Sequence, residues 1–197
     1  TGLSERENAS RVPHGDFMVK LDFCLRNHTN FMLPYSVRIS LLEARAEYDP
    51  YKLPFVNLKN QNSAVTGVVD ANKETRVQTD FVALDVAEWS DCTPVQYDIV
   101  LEVLDSEGRI VCAKKKRFGF KTAQIVQNKF NINDRRINLT LVKYYEFDPK
   151  GGIAVPQDRM RQDIILMKRA GINGVIAGGF ALSDEFLNLC DQYGINR

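Results

Sequence analysis

Carboxylates and aromatic rings are the residues of this chain best suited to grip or cut a substrate, and they gather late in the sequence. Glu146 and Asp148 stand beside Tyr144, Tyr145 and Phe147, and Phe180 follows further on. Asp184 and Glu185 form a second acidic pair, but they come directly after Ser183 at the start of an amphipathic run. Carboxylates there complement a helix N-terminus rather than work on a substrate. No two carboxylates read as an acid–base couple, so no catalytic residue is assigned. Metal chemistry has little to draw on. The two histidines, His14 and His28, are both early, and Cys24, Cys92, Cys112 and Cys190 contain no Cys-x-x-Cys pair. Cys24 and Cys190 fall within apolar patterns and read as buried thiols. Gly178-Gly179 lacks the flanking residues of a nucleotide loop, so no cofactor is expected.

The elements that must position these residues lie in 158–195. Met160, Ile164 and Met167 form the stripe of a helix from about Pro156 to Ala170, ended by Gly171. Ile172 to Ala177 reads as a short strand. Ser183 caps a second helix whose stripe is Phe186, Leu189, Cys190 and Tyr193, ended by Gly194. Helix, strand, helix is the repeat of a parallel α/β architecture. Before it, Ile137, Leu139 and Leu141 alternate as a strand, a tight turn falls at Asn133-Asp134, and Pro149 with Gly151-Gly152 marks a long loop.

The earlier part alternates with a period of two. Phe17, Val19, Leu21, Phe23 and Leu25 face one way, and Tyr35, Val37, Ile39 and Leu41 repeat the pattern. Val77, Thr79, Phe81 and Ala83 form a weaker run, and Tyr97, Ile99, Leu101 and Val103 a strong one. Turn residues at 105–108 join that run to a returning strand. Such spacing predicts an antiparallel sandwich of immunoglobulin-like dimensions over 15–121. Residues 1–14 are polar and read as a linker. Tyr48, Tyr51 and Phe55 lie in a long loop and read as cover for a sheet edge or a neighbouring domain, with a sugar-stacking platform as the alternative.

With a net charge of +1, the chain has no electrostatic footprint for nucleic acid or an anionic membrane. The run Lys114 to Arg117 reads as an exposed strand end. No apolar stretch is long enough to suggest a membrane span. Thr1 is not a natural start, so the compartment, periplasmic or cytoplasmic, is left open, and any signal peptide lies outside these residues.

Several motifs resemble glycoside hydrolase family 2, the β-galactosidase, β-glucuronidase and β-mannosidase group. Asp163 to Lys168 followed by Gly171-Ile172-Asn173 is similar to the family's DI-LMK-x-x-G-x-N signature, and Leu189 to Gly194 to its LCDxYG. Phe118 to Lys121 resembles the segment closing its immunoglobulin-like domain, and Trp89-Ser90 with Pro94 and Tyr97 resembles its LWS segment. The resemblance implies a mainly β chain: an immunoglobulin-like antiparallel sandwich followed by the first two β/α units of a (β/α)8 barrel, incomplete over 122–197. A whole barrel takes about 250 residues. The implied parent hydrolyses β-linked oligosaccharides or glycosides with retention, and its acid and nucleophile lie on later strands. The chain by itself is then expected to be inactive. The alternative is a non-catalytic carbohydrate- or protein-binding module.

In the family the polar motif RGVNxHxxxP follows the first barrel strand. The aligned stretch here runs from Thr140 to Pro149 and keeps only the proline. Where VRxSHYP follows the second strand, Ile176 replaces the arginine and Gly179 the histidine. Isoleucine cannot order a carboxylate as arginine does. Either the pocket is reshaped or activity is lost. Tyr144, Tyr145, Phe147 and Phe180 then form an aromatic pocket or internal packing, and Glu146 and Asp148 line a sugar pocket or sit in a solvated loop. Exposed apolar surface is expected on Ile137, Leu139, Ile172 and Val175, offering a face for association.

Overall fold

The structure, a computed structural model, describes residues 5–11, 16–44, 58–59, 65–149 and 151–197. The chain divides into two compact units. One comprises Thr1–Ala87 with Tyr97–Phe120, the other Glu88–Gln96 with Lys121–Arg197.

The first unit is built from β1 (Glu5–Arg11), β2 (Phe17–Arg26), β3 (Leu33–Ala44), β4 (Leu58–Lys59), β5 (Val65–Val69), β6 (Glu74–Ala83), β7 (Gln96–Leu104) and β8 (Ile110–Phe118). They form two sheets, ordered β1-β2-β6-β4 and β5-β3-β7-β8. The alternating runs become buried faces. Phe17, Val19, Leu21, Phe23 and Leu25 are at most 6% exposed, and Val37, Ile39, Leu41, Phe81, Ile99 and Leu101 are buried with them. Phe120 lies 4.9 Å from Phe17 of one sheet and 5.1 Å from Tyr97 of the other, ring to ring. Burying each such side chain contributes roughly 1.5–3 kcal/mol. Lys114 to Arg117 lie in β8, at one edge of the second sheet. Arg117 grips Asp98 with two hydrogen bonds of 2.7 and 2.9 Å. Lysines along an edge strand oppose pairing with another sheet.

Residues 5–11, read from sequence as linker, form β1, paired antiparallel to β2 from Glu5↔Phe23 to Arg11↔Phe17. An edge strand needs only backbone partners, so it leaves no alternation to read. The aromatic loop with Tyr48, Tyr51 and Phe55 lies outside the described residues, as does His14.

The second unit opens with a meander, β9 (Ala123–Val126), β10 (Lys129–Ile132) and β11 (Arg135–Arg136). Its two-residue turns, Gln127-Asn128 and Asn133-Asp134, all have φ between 50° and 61°, the left-handed backbone that tight hairpins require. Then come β12 (Leu141–Tyr144), α1 (Gln157–Arg169), β13 (Gly174–Ala177) and α2 (Asp184–Tyr193). β12 and β13 are parallel, with Val142↔Val175 in register. Beyond α2 the chain returns beside β13. Val175 N–H donates to the Asn196 carbonyl at 2.8 Å, in a parallel bridge.

Both helices end as expected. Ser183 Oγ accepts the Phe186 N–H, and Gly171 and Gly194 each have φ of 74°. Met160, Ile164, Met167, Phe186, Leu189 and Cys190 pack with Tyr144, Val175 and Ile195 into one core, while Tyr193 is only half-buried.

Two strand placements differ from the sequence reading. The first parallel strand is 141–144 because Ile137 N–H is taken by the Phe130 carbonyl and Thr140 N–H by the Asn173 side chain. The second starts at Gly174 because Ile172 N–H still closes α1 on the Met167 carbonyl. Val175, expected to be exposed, is 5% exposed and faces the helices. The other face of the pair carries the open apolar surface, with Leu141 48% and Ile176 52% exposed, and Leu139 exposed nearby.

Residues 88–96 belong to this second unit although they run from beyond β6 into the first residue of β7. Trp89 is 1% exposed, and its Nε1–H donates to the Asp191 carbonyl at 2.7 Å. Asn133 Nδ2 donates to the Trp89 carbonyl, and Lys121 Nζ stands 4.0 Å above the indole ring. Lys168 Nζ donates to the carbonyls of Asp91 and Gly194, and Asn173 Nδ2 to the Asp91 carboxylate. These bonds strap the segment to the N-terminal end of the β12–β13 pair.

Candidate functional site

The carboxyl ends of β12 and β13 are tied together by one bond. Gly178 N–H donates to the Tyr144 carbonyl at 2.7 Å. Position 178 must be glycine for this, because a Cβ would lie 2.6 Å from that carbonyl oxygen and from the Tyr145 ring. Beyond the tie, the two chain segments diverge around a cleft of about 720 Å³. Tyr145, Glu146 and Phe147 form one wall, Gly178 to Ala181 another, and Ile153 and Ser183 complete it, with Tyr144 at its base.

Of the five residues singled out from sequence, four meet here. Tyr145 and Phe180 present open rings, 58% and 88% exposed, joined by Phe147 at 63% and Ile153 at 82%. Lys143 Nζ stands 5.5 Å from the Tyr145 ring centroid. Glu146 Oε2 accepts the Ser183 N–H at 2.8 Å, which sets its carboxylate at the start of α2, where the helix dipole favours negative charge. Tyr144 reaches the wall, but its ring is packing. It stacks on Phe186 at 4.2 Å with planes 7° apart, and its hydroxyl donates to Asp163 Oδ2 at 3.1 Å. Burial, followed by the charge of Asp163, pushes the phenol far above its ordinary pKa.

Asp148, the fifth, is not on the wall. Its backbone pairs with Gly152 at 2.7 and 2.8 Å, and its Oδ2 accepts the Gly151 N–H at 2.7 Å, closing a turn. Ile153 carried no sequence signal, since it follows two glycines in a stretch without periodicity. Among the described residues, Glu146 is the single acid of the lining, so the cleft holds no carboxylate pair. Also among the described residues, no three His, Cys, Asp or Glu side chains gather as metal ligands. The arrangement suits stacking against a flat ring, with one acceptor for a hydroxyl.

Residues 123–196 match the family model of the glycosyl hydrolases family 2 TIM barrel domain. A β-galactosidase of Halalkalibacterium halodurans is 26% identical over 88% of this chain and 17% of its own length. A β-galactosidase of Priestia megaterium is 34% identical over 55% of this chain and 11% of its own. The chain therefore spans a small part of the curated relatives it matches. Among solved structures, a GH2 β-galacturonidase from Eisenbergiella tayi bound to galacturonate superposes with a TM-score of 0.80 at 23% identity, covering 98% of this chain and 32% of that one. A β-glucuronidase of Bacteroides uniformis gives 0.83 at 15% identity, covering 98% and 22%. The strapped β12–α1–β13–α2 unit thus lies within the matched barrel region, and the family model and the β-galactosidase relatives together support a fragment of a glycoside hydrolase family 2 protein.

Proposed function

We propose that these residues form an immunoglobulin-like sandwich and the first two β/α units of a barrel, within a protein that hydrolyses β-glycosides with retention, as a β-galactosidase does. The sheet orders of the first unit support the sandwich, since β1-β2-β6-β4 and β3-β7-β8 follow the ABED and CFG pattern of immunoglobulin domains. The observation that carries the functional reading is the aromatic cleft at the carboxyl ends of two parallel strands, the face on which barrel enzymes build their sites. Tyr145, Glu146 and Phe180 contribute to the sugar site, with Tyr144 supporting it from below and Asp148 shaping its loop. The partner is a β-linked oligosaccharide or glycoside. Leu139, Leu141 and Ile176 offer a face for association with further barrel elements.

Retaining hydrolysis needs two carboxyl groups about 5–5.5 Å apart. Glu146 is alone in the lining, so the acid and the nucleophile come from strands other than those described here. The 197-residue chain is then inactive by itself. Incubating it with an aryl β-galactoside checks this. No release of phenol is expected, and turnover abolished by Glu146→Gln overturns the assignment. A second reading, a carbohydrate-binding module without chemistry, is favoured by the apolar residues at the polar motif positions, Ile176 and Gly179 above all. Turnover by the full-length protein decides against it.

A further inference from the structure

We propose that Asn173-Gly174 is a self-modification site sealed by the strap of residues 88–96. When the strap opens, the asparagine converts to aspartate or isoaspartate, and the product keeps the strap from closing again. This is the one Asn-Gly pair in the sequence. Asparagine is a labile residue, and a following glycine has no Cβ to shield its backbone nitrogen. That nitrogen loses its proton and bonds to the Asn173 Cγ, and the side-chain nitrogen departs as ammonia. The five-membered imide so formed takes up one water and opens to aspartate or isoaspartate. Water is the only co-reactant, and nothing is oxidised or reduced.

The fold calls for both residues and restrains their reaction. Position 174 is crowded: a Cβ there would lie 2.5 Å from Leu141 Cδ2 and 3.5 Å from the Asn196 carbonyl oxygen. Position 173 uses both ends of an amide. Its Oδ1 accepts the Thr140 N–H at 2.8 Å, and its Nδ2 donates to the Asn138 carbonyl at 3.0 Å and the Asp91 carboxylate at 3.1 Å. The backbone is fixed as well. Asn173 N–H donates to the Thr140 carbonyl, and the Asn173 carbonyl accepts from the backbone and the side chain of Asn196. Ring closure swings the amide out of its three bonds and onto its own chain, so the closed strap suppresses it. After conversion a carboxylate stands where the amide donated. It has no N–H for the Asn138 carbonyl, and it meets the Asp91 carboxylate as a like charge. The ammonium of the strap, Lys168, is directed at the carbonyls of Asp91 and Gly194.

Native and urea-unfolded samples of the 197-residue chain, incubated side by side in mildly alkaline buffer and followed by peptide mass mapping at Asn173, test the sealing. Conversion is expected to run about a hundredfold slower in the native chain, because it waits for the strap to open. Trp89→Phe removes the bond to the Asp191 carbonyl while keeping a ring in the buried site, and is expected to speed native conversion about tenfold with circular dichroism unchanged. No conversion in the unfolded chain overturns the site outright. Equal rates in native and unfolded chains, or a native rate that folded Trp89→Phe leaves unmoved, overturn the seal. The product is tested with Asn173→Asp, in which the amides of 88–96 are expected to exchange hydrogen about tenfold faster than in the unsubstituted chain. Adding Asp91→Asn swaps amide and carboxylate between the two positions and is expected to restore most of the protection. Unchanged exchange in Asn173→Asp overturns the claim that the product holds the strap open. If Asn173→Asp alone does not fold, the double variant decides: a folded chain with a protected strap supports the like-charge account, and an unprotected strap overturns it.

Discussion

The two ends of the β12–β13 pair are built in opposite ways. At the N-terminal end, polar groups of Asn173, Lys168, Asp91 and Trp89 spend themselves on one another and on backbone carbonyls. At the C-terminal end, the rings of Tyr145, Phe147 and Phe180 stand open to solvent beside Glu146, whose carboxylate the Ser183 N–H holds. A buried polar group left without its partner costs about 1–3 kcal/mol, so the first end is fixed by its own bonds. An exposed ring has no such obligation and is available to a ligand. The residues that carry the family resemblance, Lys168, Asn173, Asp191 and Gly194 with Trp89, thus maintain the frame, and the chemistry of the cleft rests on residues outside those motifs.

Substitutions at the strapped end should be the most damaging. Trp89→Ala is expected to lower stability by about 3–5 kcal/mol, because it empties a fully buried site and strands the Asp191 carbonyl. Gly194→Ala should cost about 3 kcal/mol. Its φ is 74°, and a Cβ would lie 2.3 Å from the Asp91 carbonyl oxygen. Denaturant titration measures both, and a loss below about 1 kcal/mol for either would show that the strap is not a structural requirement. Asn173→Ala should cost about 2 kcal/mol, since the amide supplies bonds to Thr140, Asn138 and Asp91.

Cysteine chemistry sharpens the contrast between buried frame and open surface. Burial, with the charge of Asp191 adding to it, pushes the Cys190 thiol up to about 12 from an ordinary 9.0. The raised native value means its contribution to stability is whole below pH 9.0 and is lost as pH climbs toward 12, where the unfolded thiol ionises first. Iodoacetamide at pH 8 is expected to modify exposed Cys92 in the native protein and Cys190 only on unfolding, as read by peptide mass mapping. Smallest of all is the expected effect of Phe180→Ala on folding, within about 0.5 kcal/mol, because the ring is 88% exposed.

Local patterns disclosed the strands β2, β3, β6 and β7 and both helices, because period-two and period-3.6 burial and the caps Ser183, Gly171 and Gly194 are written in neighbouring residues. The strap was not legible. Trp89 meets Asp191 across 102 positions and Asn173 meets Asp91 across 82, and such pairings leave no mark on nearby sequence. The site was half legible. The aromatic run after β12 announced the cleft, but nothing local distinguished Tyr145, which is open, from Tyr144, which turns inward onto Phe186. Asp148 was indistinguishable from Glu146 until the Gly151 N–H claimed its carboxylate.

If one end holds the frame and the other holds the ligand, stability and binding should separate. The most direct measurement is the dissociation constant of phenyl β-D-galactopyranoside for Asn173→Ala and Phe180→Ala, each at a temperature where the protein is folded. Asn173→Ala should bind as the unsubstituted chain does despite its lost stability, and Phe180→Ala should lose affinity at full stability. Equal loss of affinity in both would contradict that separation.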